Sequence, residues 1–292
     1  MTAAHTAPGG TWLITPPSEG RLDSALRAQP DVALLDLEDF VPPHDKDTAR
    51  TAALAHLAAA PVHGATMLGL RVNAPGTVHG LQDLVALAGA GLREIVVLLP
   101  KVESARELEL VAQALRAATT GVRVCALIET PRALLRLDDI FASPVLGGVV
   151  FGAADYAAAT GCRRTSSSLW WARSSIAAAA AAHAIPSIID SPYFNLGDPE
   201  GLRRDAQEAR DLGFTGKGAI HPDQLPIIRG AFCPTKEEVV QARAVVSAAN
   251  RAGGQMVRAG GQMVGPPLVA AARAVLDRAG IHTEPSLHGG IQ

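Results

Sequence analysis

Several features are scarce in this 292-residue chain, and each scarcity removes a class of protein. No apolar stretch reaches the roughly 18 residues that a membrane span requires. The alanine run at 177–182 reads as a helix interior, and no membrane partner is expected. The N-terminal MTAAHTAPGG has neither the basic region nor the apolar region of a secretory leader. Cysteine is represented only by Cys125, Cys162 and Cys233, which are odd in number and far apart. They fit no disulfide framework and no metal-ligand spacing, which points to a reducing cytoplasm. Charge of one sign is also lacking: 26 basic against 28 acidic residues leave a net −2. That balance calls for neither nucleic acid nor an anionic membrane, although a few local Arg and Lys can hold a small anion. GxGxxG and Walker-type glycine loops are absent, which argues against dinucleotide and P-loop chemistry.

What is present is a soluble, core-forming composition, 48% hydrophobic and 18% charged, which excludes disorder, collagen and coiled coil. Eight runs read as strands: Thr11–Pro16, Val32–Asp39, Met67–Asn73, Glu94–Val102, Arg123–Thr130, Gly148–Asp155, Ile185–Ser191 and Gly216–His221. Most are continuous apolar runs such as VALLDL and EIVVLL, as suits parallel strands buried on both faces. Helical patterns alternate with them at Asp45–Ala59, Leu81–Leu87, Ser104–Ala118, Trp170–His183 and Glu200–Leu212. Eight alternations predict an α/β fold, a (β/α)8 TIM barrel, with a doubly wound open sheet as the rival. The barrel is preferred because polar residues collect at the C-terminal ends of at least six strands, and only a barrel brings those ends to one mouth. The expected organisation is a barrel over residues 1–234 and a C-terminal helical extension over 235–292. The extension holds helices at Thr235–Arg251, with an N-cap signature, and at Pro266–Gly280. Between them RAGGQMV at Arg251–Val257 is repeated as RAGGQMV at Arg258–Val264. Its paired glycines disfavour a helix, so a Gly-rich loop carrying a tandem duplication is expected.

The strand ends supply the candidate chemistry. Glu129 and Asp155 end consecutive strands, and neighbouring strands lie about 4.8 Å apart, so both carboxylates can reach one ion. Two hard oxygen ligands with room for water and substrate suit Mg2+. The competing reading is that each caps a helix or pairs with Lys101 or Arg71. Arg71 can hold a substrate carboxylate in a bidentate fork, or form a salt bridge with Asp36 or Glu38, and the two are compatible. Asp36, Glu38 and Asp39 contact metal-bound water or orient Arg71 and Lys101. Lys101 is read as an ion-pair partner rather than a Schiff-base lysine. Asn73, beside Arg71, and the exposed-looking Arg163 and Arg164 are further substrate-binding candidates, the two arginines for a phosphate of a large anion. His221 stands where a general base could, with helix capping the commoner fate. Cys125 reads as inert core, and Cys162 is not proposed as a nucleophile.

These segments together carry a resemblance. LDLEDFVPPHDKDTAR (Leu35–Arg50), RVNAPGT (Arg71–Thr77), LPKVESARELE (Leu99–Glu109), IETPRALL (Ile128–Leu135), GAADYAAATG (Gly152–Gly161) and GFTGKGAIHPDQLPII (Gly213–Ile228) resemble, in order over nearly the whole chain, the citrate lyase β-subunit-like proteins of the HpcH/HpaI aldolase superfamily. The resemblance implies a TIM barrel, a homotrimer or homohexamer whose C-terminal extension packs on a neighbouring subunit, and magnesium held at Glu129 and Asp155. It also implies that Arg71 holds the carboxylate of an oxoacid. The implied activity is cleavage or formation of a carbon–carbon bond in a malyl-, citramalyl- or citryl-type unit, either free or as a CoA thioester. Thioester hydrolysis, a non-CoA oxoacid aldolase and a non-catalytic ligand-binding relative stay open as alternatives. One departure stands out. Where the acyl-CoA lyases of that family carry a C-terminal segment resembling G-x-M-V-D-x-P, this chain reads Gly261-Gln262-Met263-Val264-Gly265-Pro266-Pro267, with Gly265 in place of the Asp. The upstream copy offers Arg258 at that offset, and neither can exchange the proton that the Asp exchanges.

Overall fold

The computed structural model describes residues 9–18, 20–60, 65–116, 120–252, 255–259 and 262–281. Eight parallel strands close into a barrel in sequence order: β1 (Gly10–Thr15), β2 (Val32–Asp36), β3 (Met67–Arg71), β4 (Ile95–Leu99), β5 (Arg123–Ile128), β6 (Leu146–Phe151), β7 (Ile188–Asp190) and β8 (Gly216–Ala219). The helices are α1 (Arg21–Arg27), α2 (Lys46–Ala59), α3 (Val78–Gly89), α4 (Ala105–Arg116), α5 (Pro131–Leu134), α6 (Leu137–Phe141), α7 (Ala153–Thr160), α8 (Ser166–Ala182), α9 (Pro199–Asp211), α10 (Leu225–Phe232), α11 (Lys236–Arg251) and α12 (Pro266–Arg278). The closed barrel rather than the open sheet is thus the observed architecture. Among the described residues no helix is long and apolar enough to cross a membrane.

The continuous apolar runs follow from burial on both sides of each strand. One set of side chains, including Trp12, Val32, Leu34, Val96, Leu98, Leu127 and Ile189, packs together without contribution from any helix and fills the barrel interior. The alternate set, including Leu13, Ala33, Leu35, Leu70 and Val97, packs against the helices. Closure at the seam depends on glycine: β1 and β8 pair Gly10 with Gly216, and a Cβ on Gly216 would stand 2.0 Å from the Gly10 carbonyl oxygen. The period of two also sets up the mouth. Continuing the inward register from Leu34, Gly69 and Leu127 by two residues reaches Asp36, Arg71 and Glu129. Three charged side chains therefore stand at the mouth, one layer above Leu34, Gly69 and Leu127.

The expected sixth strand runs too far at its end. β6 stops at Phe151, and Asp155 lies in the first turn of α7, because Gly152 breaks the strand and Ala153 opens the helix.

The chain divides after Phe232, with the described residues from Cys233 onward forming a separate compact unit. There α11 begins with a capping box in which Thr235 accepts the Glu238 N–H at 3.1 Å while Glu238 accepts the Thr235 N–H at 2.7 Å. It packs on α12 through Ala242, Val246, Ala272 and Leu276. The duplicated segment differs from the expected loop. Val257–Ala259 (β9) and Gln262–Val264 (β10) pair antiparallel, Val264 opposite Val257 and Met263 opposite Arg258. Equivalent valines of the two copies thus face each other across the ladder. Val264 is buried while Met263 is exposed, the alternation that a half-buried hairpin needs. Residues 253, 254, 260 and 261 of the repeat lie outside the described residues.

Candidate active site

Arg71, at the end of β3, directs Nε and Nη2 to the two carboxylate oxygens of Asp36, each at 2.6 Å. Asp36 is fully buried and also accepts the backbone N–H of Glu38 at 2.9 Å and of Phe40 at 3.0 Å, so it locks both the guanidinium and the turn after β2. The fork expected for a substrate carboxylate is therefore occupied on this edge by Asp36. What remains is Nη1, 3.0 Å from Glu38 Oε2 and 3.2 Å from Asp39 Oδ2. Burial opposes the Arg71 charge, but Asp36, Glu38 and Asp39 outweigh it and hold the guanidinium firmly protonated. Glu38 is pushed up to about 7, first by burial and then by Asp39 and Asp36, against Arg71 and Lys101. Its Oε2 is buried and, despite the nearby Nη1, makes no aligned hydrogen bond among the described residues.

The second half of the cluster is built around Lys101, just past β4. Its backbone takes a left-handed φ of 55°, a strained choice for a lysine, and turns its N–H onto Glu129 Oε1 at 2.8 Å. The side chain returns over the mouth, where Nζ lies 3.0 Å from Asp155 Oδ1 and 3.5 Å from both Glu129 Oε1 and Glu38 Oε1. Glu129 is 1% exposed, and Gly152 leaves it room: a Cβ there would stand 2.4 Å from the Glu129 Cβ. Burial, then the charge of Glu38, push Glu129 up to about 8, with Lys101 acting the other way. Burial disfavours the Lys101 ammonium, yet Glu129, Asp155 and Glu38 raise it overall.

The donor set suits a small divalent cation. Three hard carboxylates converge on one ammonium, which is itself 42% exposed, and the buried Glu129 is poorly compensated. Glu129 and Asp155 can hold such an ion. Among the described residues no three His, Cys, Asp or Glu side chains gather closely enough to enclose it, so water or substrate would complete its shell. A stability prediction follows from Glu129. Its folded value of about 8 lies above its ordinary 4.5, so between these values the native state binds the proton more tightly than the unfolded chain. Stability is then lost as pH rises through that window. With magnesium chelated, the Tm of Glu129→Gln relative to wild type is expected to climb between about pH 5 and pH 8; a flat difference would show that Glu129 is not desolvated as described.

The other expected residues are placed differently. Asn73 is buried with both ends of its amide committed: its Oδ1 accepts from Lys46 Nζ at 2.6 Å, and its Nδ2 donates to Asp83 Oδ2 at 2.7 Å. Arg163 and Arg164 are exposed on the loop between α7 and α8, with Arg164 stacked 4.7 Å over the Phe194 ring. His221 caps a short turn, its Nδ1 accepting the Asp223 N–H at 3.2 Å. Cys125 is buried, and burial pushes its thiol up, which fits inert core.

Two buried networks were not legible beforehand. In one, Lys46, Asn73, Asp83 and Arg50 run in series, Arg50 Nε reaching Asp83 Oδ1 at 2.6 Å. In the other, Lys217 on β8 and Arg173 on α8 share Asp190 and Asp205, with Arg173 bidentate to Asp190 at 3.0 and 2.9 Å and Lys217 bonded to Asp190 and 2.6 Å from Asp205 Oδ2. Nothing in the run GKGA marks its lysine as a buried cation. Two cations and two anions compensate one another there, which suits a staple rather than a reactive centre.

A parallel barrel whose mouth gathers carboxylates around one lysine and one arginine is the frame of an aldolase-type site, and the chain belongs to the HpcH/HpaI aldolase/citrate lyase family, whose pattern matches residues 18–222. It is 33% identical to the citrate lyase subunit beta of Haemophilus influenzae, over 88% of this chain and 92% of the relative. It is 34% identical to a (3S)-malyl-CoA thioesterase of Cereibacter sphaeroides, over 94% of this chain and 96% of the relative. Among solved structures, CitE from Mycobacterium tuberculosis in complex with magnesium, acetoacetate and coenzyme A superimposes with a TM-score of 0.79 at 34% identity, covering 94% of this chain and 99% of that one.

Proposed function

We propose that the protein is a magnesium-dependent carbon–carbon lyase that cleaves or forms a 3-hydroxy-acid unit of the malyl, citramalyl or citryl type, carried as a CoA thioester. The observation that carries this reading is the convergence of Glu38, Glu129 and Asp155 on Lys101 Nζ beside the Asp36-locked Arg71. The family and the magnesium, acetoacetate and coenzyme A complex of the Mycobacterium tuberculosis relative support it. Glu129 and Asp155 would hold the ion, which when bound supplies a Lewis acid for the oxoacid oxygen. Lys101 offsets part of the charge of the three carboxylates. Arg71 orients the substrate carboxylate through Nη1, the part of its guanidinium that Asp36 leaves available. Glu38 Oε2, buried and without a hydrogen bond among the described residues, holds or releases the proton that moves as the bond breaks. Asn73 acts from behind, through Lys46 and Asp83. Arg163 and Arg164 meet phosphates of the thioester carrier.

The relatives that are malyl-CoA thioesterases favour a second reading, hydrolysis of the same thioesters. One assay separates the two. Malyl-CoA incubated with the protein and magnesium gives glyoxylate and acetyl-CoA, with no free thiol, if the carbon–carbon bond breaks. It gives malate and a free CoA thiol if the thioester is hydrolysed. Loss of either product with chelator is expected, and no turnover of malyl-, citramalyl- or citryl-CoA would overturn both readings. The protein is taken to be cytoplasmic and to assemble as a trimer or hexamer, with residues 235–292 packing on a neighbouring subunit; sedimentation of the purified chain tests the assembly.

Gly265 bears on the same reaction. It stands in extended backbone, φ −128° and ψ −179°, and among the described residues a Cβ there meets only Met256 at 3.7 Å, so an aspartate fits without strain. If Glu38 handles the proton, Gly265→Asp leaves malyl-CoA cleavage little changed. A gain of about 10²–10⁴-fold, the usual worth of general acid–base help, would mean instead that the native site lacks its proton donor.

A further inference from the structure

We propose that Lys46 is a positioning residue, an internal ammonium that fixes the turn after β2 and so aims Glu38 at the mouth; this rests on the reading of the site given above. Lys46 opens α2 and is buried, yet its three N–H bonds are spent on three neutral oxygens: Leu37 O at 2.6 Å, Glu38 O at 2.7 Å and Asn73 Oδ1 at 2.6 Å. Burying an ammonium against neutral acceptors is costly, a cost that the charges of Asp36, Glu38, Asp83 and Asp39 offset only in part, and a neutral side chain could not present three donors from one atom. The position of the charge is maintained from behind. Asp83 takes both the backbone N–H of Asn73 at 2.8 Å and its Nδ2, which leaves the Asn73 oxygen facing Lys46, and Arg50 holds Asp83 in turn.

The consequence falls on Glu38. Its N–H is held by Asp36 and its C=O by Lys46 Nζ at 2.7 Å and, less closely, by the Val41 N–H at 3.1 Å, so the peptide groups on both sides of its Cα are fixed. The side chain then leaves in one direction, toward Arg71 Nη1 and Lys101 Nζ, and carries an oxygen, Oε2, with no hydrogen bond among the described residues. Lys46 Nζ meets Glu38 at its backbone oxygen. Its effect passes through the Glu38 backbone.

The test is Lys46→Met, with Lys46→Gln, which keeps two N–H donors, as the fallback if the methionine variant does not fold. A crystal structure of the variant is expected to show the barrel unchanged and the Leu37–Asp39 turn shifted, with Glu38 withdrawn from Arg71 and Lys101. Glu38 unmoved, with the Leu37 carbonyl bonded to water and the Glu38 carbonyl to water or to the Val41 N–H alone, would overturn the proposal whatever the reaction proves to be. On malyl-CoA, kcat is expected to fall about 10²-fold, the scale of an ångström-sized misplacement, with KM little changed. The double variant Glu38→Gln/Lys46→Met is then no slower than Glu38→Gln alone, because Lys46 acts only through Glu38. Additive losses would assign Lys46 a merely structural role. A wild type that turns over no thioester would defeat the proposed function, while the crystal structure would still decide the role of Lys46.

Discussion

Glu129→Gln combined with Asp155→Asn is expected to abolish magnesium-dependent turnover, a loss of about 10³-fold or more, since the carboxylates that face the charge developing in the reaction commonly supply effects of that size. The fold should survive. Glu129 is buried and poorly compensated, so a neutral amide of the same shape relieves desolvation, and Asp155 lies partly exposed at the opening of α7. Near-native Tm with lost turnover would locate the defect in chemistry. A second readout is the response to the ion itself. Magnesium should raise the Tm of the wild type, as any ligand of the native state does, and should leave that of the double variant unmoved. Unchanged activity in the double variant would remove the metal mechanism.

Replacing Arg71 should hurt both stability and activity. Arg71→Met leaves Asp36 fully buried with only two backbone N–H partners, and breaking a buried pair by deleting one member costs about 3–5 kcal/mol, or roughly 10 °C in Tm for a domain of this size. Arg71→Lys keeps the charge. It cannot bond both Asp36 oxygens and still present a donor where Nη1 now stands, so kcat/KM should fall by about 10²-fold or more, as for other lost buried charge contacts. A lysine variant equal to wild type in kcat/KM would make the assigned carboxylate-orienting role untenable.

Much of the architecture was readable from residues because burial on both faces writes itself as unbroken apolar runs. VALLD and IVVLL are wholly buried, and each lies inside an expected strand. The period of two also carried Asp36, Arg71 and Glu129 to the mouth. What could not be read is which acid an arginine chooses: Asp36, Glu38 and Asp39 are all within reach in sequence, and only the closed barrel gives both forks to Asp36. Asn73 was misleading for a related reason. Its place at a strand end suggested contact with substrate, but the side chain turns back beneath the loop to Lys46 and Asp83, partners 27 and 10 residues away. The hairpin was missed because glycine pairs signal loops, while the short Val-Arg-Ala and Gln-Met-Val stretches become strands only by pairing with each other.

That pairing has a genetic side. The two copies of RAGGQMV are adjacent and identical, so excising either one yields the same shorter chain, with Asn250 joined to a single heptad that still runs into Gly265. Neither copy can be called the original or the insert. The hairpin can therefore vanish in one in-frame deletion that leaves no scar, and the surviving Gln-Met-Val would have lost the only neighbour, among the described residues, to which its backbone is paired as a strand.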